Sequence, residues 1–242
     1  MAGLSEGSPM SRTWKIVLAV LAVAVLLAAA YAWSMSRRLQ TTVVPNVSPS
    51  LSPQSSVSPA AGDVSSCGLT PTTTTGPYYI SGTPQLTGGN LNYTSLPGTP
   101  MKISGYVYGS VDNTKPLNNA IIEIWQADNS GRYHPQAQGA ANQFSSDQLA
   151  LRGYVTTDAK GYYEFTSIFP AEYEGRVRHV HTRASATGYT PVVTQMITYL
   201  AGDKVTPQQD NIASELPACN MLKFTDTGGV RTSAFDFHLA GQ

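Results

Sequence analysis

Charge is scarce in this chain. Only 12% of its 242 residues are charged, 15 basic against 15 acidic, and the formal net charge is zero. Such a balance sets up no global field, which excludes broad electrostatic capture of nucleic acid or acidic substrates and leaves recognition to a local site. Cysteine is nearly absent: Cys67 and Cys219 are the only 2, enough for one disulfide at most. Convincing helices are missing too. Beyond residue 67, Gly and Pro interrupt every window long enough to show a capped 3.6-residue periodicity.

Apolar residues are concentrated at the front. Ile16 to Ser36 carries no charge, and Ile16 to Trp33 is almost wholly aliphatic, preceded by Arg12 and Lys15. The run reaches the roughly 18 residues of a spanning helix, whereas Ala30-Tyr31-Ala32 offers a signal-peptidase-like site. Residues 1–40 therefore read as a signal peptide or a transmembrane anchor, length favouring the anchor, and both readings export the rest of the chain. Arg37 and Arg38 put positive charge at the second flank, so orientation is poorly determined. Residues 41–66 are a Ser/Pro/Thr/Val tract with Ser48-Pro49, Ser52-Pro53 and Ser58-Pro59, too poor in apolar surface to pack and kept extended by proline. That segment reads as a tether. Asn46-Val47-Ser48 and Asn92-Tyr93-Thr94 match the glycosylation sequon, which is common by chance.

The folded domain is expected over 67–242, roughly 175 residues, enough for one core. In an exported chain, Cys67 and Cys219 suggest a disulfide clipping the N-terminal arm to the body, with two unpaired thiols as the alternative. The punctuation is all-β. Met101–Tyr108, Ala120–Trp125, Tyr162–Ile168, Arg178–Ala184, Val192–Tyr199 and Ala234–Leu239 read as strands, and Asp158-Ala159-Lys160-Gly161 as a turn. A β-sandwich of mostly antiparallel strands is the expected architecture. Residues 127–150, polar and Gln-rich, lack alternation and read as a long excursion of the functional kind.

Within 168–181 the chain runs Ile-Phe-Pro-Ala-Glu-Tyr-Glu-Gly-Arg-Val-Arg-His-Val-His. On a strand, His179 and His181 point to the same face, within reach of one ion. Tyr173 precedes them across a Glu-Gly turn able to fold it back over that face. The pair alone also fits two hydrogen-bonded or exposed histidines. A cupin-like site would need a carboxylate soon after it, where Thr182-Arg183-Ala184-Ser185 has none. A catalytic zinc would need a third ligand such as His134 or His238. Neither of those sites uses the tyrosines, whereas tyrosine with histidine suits ferric iron.

Four ordered segments carry a resemblance. They are Pro116 to Asp128 followed by Gly131-Arg132-Tyr133; Arg152-Gly153-Tyr154 with Thr157 to Phe165; Pro170 and Tyr173 leading to Arg176-Val177-Arg178-His179-Val180-His181; and, near the front, Thr75-Gly76-Pro77-Tyr78-Tyr79. Together with Thr194-Gln195 they resemble the intradiol ring-cleavage dioxygenases, the protocatechuate and catechol dioxygenase family, over essentially 67–240. The short Tyr173–His179 connection is closest to the exported dioxygenase-like branch, and the helical dimerisation domain of the catechol enzymes has no counterpart.

The resemblance implies Fe(III) bound by Tyr133, Tyr173, His179 and His181, a catecholic substrate and dioxygen as partners, and Gly76, Pro77 and Tyr78 as a substrate-pocket arm. Tyr173 would leave the metal and act as a base, Arg176 would stabilise charge on the ring, and Gln195 would hydrogen-bond substrate or oxygen. The donor set makes electrostatic sense: two phenolates, two neutral imidazoles and one hydroxide neutralise a ferric ion, avoiding the penalty of a buried net charge. Two departures stand out. Val177 replaces the proline usual after the pocket arginine, and Arg178 adds a second guanidinium. Strict alternation puts both arginines opposite the histidines, so Arg176 can reach the site only if the strand begins after it. A transthyretin-like or carboxypeptidase-regulatory-like binding module shares several of these segments without catalysis, and a zinc hydrolase is the third reading.

Overall fold

The computed structural model describes residues 67–242. The apolar segment and the tether expected before them lie outside the described residues, and among the described residues no helix is long and apolar enough to cross a membrane. Cys67 and Cys219 are disulfide-bonded, with Cα atoms 6.3 Å apart and 152 positions between them in sequence.

Strand sequences are rich in β-branched and aromatic residues, and they build two main sheets. In the first, β2 (Pro100–Tyr108) pairs antiparallel with β6 (Tyr162–Ile168) on one edge. On its other edge it takes β10 (Val230–Ala234) and then β11 (Phe237–His238), both parallel, and β10 continues to β9 (Thr225–Thr227). The second sheet is antiparallel in the order β5 (Arg152–Thr156), β3 (Ile121–Gln126), β7 (His179–Ser185), β8 (Val192–Ile197). A two-residue parallel ladder joins β1 (Ile80–Ser81) to β4 (Gly139–Ala140), tying the front arm to the long excursion.

One apolar cluster draws on both sheets. Met101, Ile103 and Val107 of β2 and Tyr163 and Phe165 of β6 meet Ile122 and Ile124 of β3, Val155 of β5, Val180 and Ala184 of β7 and Val192 of β8. Each such side chain contributes roughly 1.5–3 kcal/mol on burial, and the shared cluster is what makes the two sheets a sandwich. The expected turn is present: Gly161 donates to the Asp158 carbonyl at 2.9 Å, while Asp158 Oδ1 accepts from the Lys160 and Tyr162 amides.

Several strand assignments change, and β1, β4 and β5 join the expected set. The segment expected over Ala234–Leu239 is interrupted at Phe235-Asp236, where the Phe235 amide donates to the Ser104 carbonyl and Asp236 Oδ1 accepts from the Tyr106 amide. The chain thereby steps from β10 to β11 along one edge of β2. The polar β9 and β10 go unread by alternation because β9 is exposed and β10 is only partly buried. The segment expected to run to Tyr199 ends at Ile197.

Period-two alternation sorts the second sheet. Val180 and Ala184 face the core, so His179 and His181 face outward. That outer face is not a solvent face: the 127–151 excursion, the 76–79 arm and the chain after β8 cover it, and both histidines are buried.

Candidate metal centre

Register lines up one row of side chains across all four strands of the second sheet. Arg152 is opposite Trp125, Trp125 is opposite His181, and His181 is opposite Gln195. Trp125 stacks on His181 with ring centroids 5.0 Å apart and planes within 5°. His179 stands one pleat along, its Nε2 3.2 Å from His181 Nε2. The Val177 carbonyl lies 2.6 Å from His179 Nδ1 and takes its proton, which leaves the Nε2 lone pair aimed inward.

Tyr133 arrives from the excursion. Asp128 organises that loop: its Oδ1 accepts from the Ser130 amide, the Ser130 hydroxyl and the Arg132 amide, and its Oδ2 lies 2.8 Å from His134 Nε2. Gly131 lies against the Tyr173 segment at φ +82°, where a Cβ would stand 2.5 Å from the Glu172 carbonyl oxygen, so the close approach of the two tyrosine-bearing segments requires glycine.

Tyr173 is folded back by the expected Glu-Gly turn. Glu174 and Gly175 both have positive φ, 47° and 76°, as in the hairpin turns that match strand twist, and the Arg176 amide donates to the Tyr173 carbonyl at 2.7 Å. Four rings then close a circuit. Centroids are 5.2 Å apart for Tyr133–Tyr173, 5.4 Å for Tyr173–His179, 4.7 Å for His179–His181 and 6.2 Å for Tyr133–His181. All four side chains are buried.

Because β7 begins at His179, alternation does not govern Arg176. Its Nη2 donates to Gln195 Oε1 at 2.9 Å and its Nε to Asp210 Oδ2 at 2.7 Å. Arg178 turns away, donating to Asp203 at 2.7 Å and to the Pro170 carbonyl at 2.8 Å, with its guanidinium over Phe169. Gln195 spends its oxygen on Arg176, and its Nε2 is buried without a partner.

The arm closes the circuit from above. At Gly76, φ +70°, a Cβ would lie 3.0 Å from His181 Cε1, so the backbone itself rests on the imidazole. Pro77 is exposed beside it. The Tyr78 ring lies 4.9 Å from Tyr133 and 6.3 Å from Tyr173, and its hydroxyl donates to Glu174. Tyr79 packs on Trp125 and donates to Glu123.

Burial sets the protonation of this cluster. It pushes the Tyr133 phenol well above its ordinary value and raises Tyr173 as well. Burial also lowers His179 to about 4 and His181 well below its usual range, with Arg176 adding to both effects. Without a cation all four groups are neutral at pH 7. The Tyr133 hydroxyl is then left buried with no hydrogen-bond partner, an expensive arrangement for a structural core. Two phenol oxygens and two imidazole nitrogens buried side by side fit a hard, highly charged cation, whose field would draw the phenols to phenolate.

Several residues that the site uses carry no local signal in the sequence. Asp210 had no motif around it, and only the fold brings it beneath Arg176. Trp125 was visible as strand apolar content, but its stack on His181 needed the register. His134 and His238 are in neither the ring circuit nor its supports: the first pairs with Asp128 and the second has Nε2 2.6 Å from Asn113 Oδ1. Asn92 of the second sequon has its amide engaged at both ends by Leu96, through a donated and an accepted bond of 2.9 Å.

Comparison with known proteins agrees with this geometry. A family model described as dioxygenase matches residues 74–241. A catechol 1,2-dioxygenase of Acinetobacter lwoffii is 32% identical over 150 residues, covering 53% of this chain and 51% of that protein. A chlorocatechol 1,2-dioxygenase of Pseudomonas sp. strain P51 is 28% identical, covering 67% of each. The chain thus spans about half the length of several curated relatives that it matches. Among solved structures, the dioxygenase domain of a carbohydrate-binding fusion from Streptomyces sp. SirexAA-E is 30% identical with a TM-score of 0.57, covering 72% of this chain and 99% of that one. Catechol 1,2-dioxygenase from Pseudomonas arvilla C-1 is 28% identical with a TM-score of 0.56, covering 72% and 63%. The chain belongs to the intradiol ring-cleavage dioxygenase family.

Proposed function

We propose that this protein is an Fe(III)-dependent dioxygenase that cleaves catecholic rings between the two hydroxyl-bearing carbons, taking both atoms of dioxygen into a muconate-type diacid. The observation that carries the proposal is the closed circuit of Tyr133, Tyr173, His179 and His181, whose members are buried and include a phenol hydroxyl without a partner. Those four residues would hold the iron. Bound there, Fe(III) supplies a Lewis acid that acidifies a catechol and activates its ring towards dioxygen.

The chain's own contributions stem from placement. Neutral imidazoles at His179 and His181 keep their lone pairs available at ordinary pH, because burial opposes their protonation. Tyr173 is the more accessible of the two phenols, 8% exposed against 3% for Tyr133, which suits it, as the phenolate it would be beside a bound ferric ion, to take a catechol proton on its oxygen and become a neutral phenol. Arg176 supplies a cation for charge developing on the ring. Gln195 presents Nε2 as a donor, with its orientation set by the bond from Arg176 to Oε1. Gly76, Pro77 and Tyr78 border the space a ring would enter. Asp210 fixes the guanidinium, so that little reorganisation is needed when charge appears.

A non-catalytic transthyretin-like module has no use for this donor set, and a zinc hydrolase has no use for the two phenols. For location, we infer export of the domain. The apolar segment within residues 1–40 and the disulfide support that reading, whether the segment is cleaved or remains as an anchor.

The test is spectroscopic and chemical. The purified protein is assayed for iron, for the visible phenolate-to-Fe(III) charge-transfer band, for its shift on adding catechols, and for oxygen uptake with formation of the ring-opened diacid. An iron-loaded protein that stays colourless and consumes no oxygen with a panel of catechols would sink the proposal.

A further inference from the structure

Arg152 is one of the largest fully buried side chains, 1% exposed, yet it lies outside the ring circuit and none of the described carboxylates pairs with it. It opens β5 at the end of the row that runs through Trp125 and His181 to Gln195. Its donors go to three backbone carbonyls instead. Nε donates to His134 at 2.8 Å, Nη2 to Pro135 at 2.8 Å and Nη1 to Tyr78. Two of these carbonyls belong to the loop that presents Tyr133 and the third to the arm that presents Tyr78, so one planar fork spans two segments more than fifty positions apart in sequence. The guanidinium carbon also lies 5.7 Å from the Tyr133 ring centroid.

A buried guanidinium without a carboxylate is costly, and a structural role for it would be served more cheaply by an apolar side chain. What it does that no apolar residue can is hold three carbonyls in one plane. We propose that Arg152 is a positioning residue for substrate binding, clamping the Tyr78 arm to the Tyr133 loop and so fixing where Gly76, Pro77 and Tyr78 stand over the four-ring circuit. The proposal rests on the ring-cleavage reading for the identity of the ligand. The arm is in direct contact with the circuit: the Tyr78 and Tyr133 rings are tilted 36° at 4.9 Å, and Gly76 rests on His181. A shift of the arm by an ångström would move these contacts, and misplacements of that size change rates by about a hundredfold in positioned sites.

The experiment compares Arg152→Lys with Val155→Ala in the full-length protein. Lysine keeps the charge but loses the fork. Val155, three positions along the same strand, packs in the main core, so its truncation supplies a loss of stability to compare against. Arg152→Lys is expected to raise the KM for catechol about tenfold with a smaller change in kcat, to retain the phenolate-to-iron band, and to accelerate amide hydrogen exchange over 76–82 and 133–140. Val155→Ala is expected to do none of these at an equal fall in Tm. A KM unchanged in Arg152→Lys, or moved equally by Val155→Ala, overturns the proposal. Should Arg152→Lys not fold, the wild type decides: amides over 76–82 and 133–140 must open together in mild denaturant, and independent opening overturns it. If the wild type turns over no catechol, the ring-cleavage reading fails by itself, and the difference in exchange over 76–82 and 133–140 between Arg152→Lys and Val155→Ala still decides whether Arg152, beyond the β1–β4 ladder, locks the two segments.

Discussion

Asp210 and Gln195 both hold the guanidinium of Arg176. The carboxylate takes Nε at 2.7 Å and the amide oxygen takes Nη2 at 2.9 Å, so the guanidinium plane is fixed before any substrate arrives. Burial alone would push the Asp210 carboxyl up, but bonds from Arg176 and from the Ala213, Ile212 and Val177 amides outweigh it and hold the group below its ordinary value. Asp210 is therefore a charged anchor at neutral pH. Asp210→Asn should lower kcat for catechol cleavage by about tenfold to a hundredfold while iron content and the charge-transfer band persist. Steady-state oxygen uptake at matched iron loading checks it; full turnover in the variant would remove Asp210 from the support of Arg176.

The ring circuit makes a sharper distinction among its own members. Tyr133→Phe and His181→Ala each delete a donor from a buried set of four, and both are expected to lose iron and colour. Arg176→Ala deletes no donor to the metal, and it should keep the colour and lose turnover by about a hundredfold or more. Metal analysis beside absorption spectra separates the two outcomes, and a colourless Arg176→Ala would mean that the arginine supports the metal rather than the reaction.

Acid should unfold the metal-free protein through its histidines. His179 has its pKa lowered to about 4 by burial, so between that value and the ordinary 6.5 the unfolded chain binds a proton that the folded chain refuses. The sign is then fixed: stability is fully present above about pH 6.5 and is lost as pH falls towards 4, on the order of 3 kcal/mol for this residue at one pKa unit per 1.4 kcal/mol. His181, also lowered, adds to the slope. Urea titrations of the metal-free protein between pH 7 and pH 4.5 measure it, and a flat profile would contradict the burial of the pair.

Much of this was legible from residue order because chemistry of the tyrosine-histidine kind leaves ordered traces. The spacing of His179 and His181 put both on one strand face, and the Glu174-Gly175 turn returned Tyr173 to them, as found. The choice between Arg176 and Arg178 was not legible. It depended on where β7 starts, and strand boundaries depend on partners: His179 is the first residue paired to β8, opposite Ile197. Trp125 and Arg152 stand inside the segments that carry the resemblance and Asp210 does not, but none of the three shows its role locally. Their roles come from register across four strands and from a loop that folds under Arg176, which are long-range relations with no local signature. The exposed β9 escaped for the opposite reason, since a strand with little to bury need not alternate.

Breaking the disulfide should cost stability before it costs chemistry. A loop of 152 residues would contribute about 4 to 5 kcal/mol at most in chain entropy, and measured values are commonly smaller. Asn220, the residue after Cys219, donates to the Gln195 carbonyl at 2.8 Å and to the Thr194 hydroxyl at 3.0 Å, so the tethered segment also braces the strand that carries the glutamine. Cys67→Ser with Cys219→Ser is expected to lower Tm by several degrees and to leave iron binding intact at 25 °C. Calorimetry with iron analysis tests both halves, and loss of the metal at a temperature where the fold survives would show that the clip reaches the site itself.

Two glycines offer the most local test of how the covering segments meet the histidine face. At Gly76 an added Cβ would approach the His181 ring at 3.0 Å, and at Gly131 it would strike the Glu172 carbonyl at 2.5 Å, both at positive φ where alanine costs about 1 kcal/mol or more before any clash. The consequences should differ. An imidazole held on one side by the Trp125 stack has no room to retreat, so Gly76→Ala must lift the arm; catechol binding weakens while the four metal donors stay in place. Gly131→Ala instead drives the Tyr133 loop away from the Tyr173 segment, separating two of those donors, and iron affinity falls first. Titrating each variant with iron and then with catechol, following the phenolate band, gives the order of loss. The reverse order would show that the arm, and not the Tyr133 loop, carries the integrity of the metal centre.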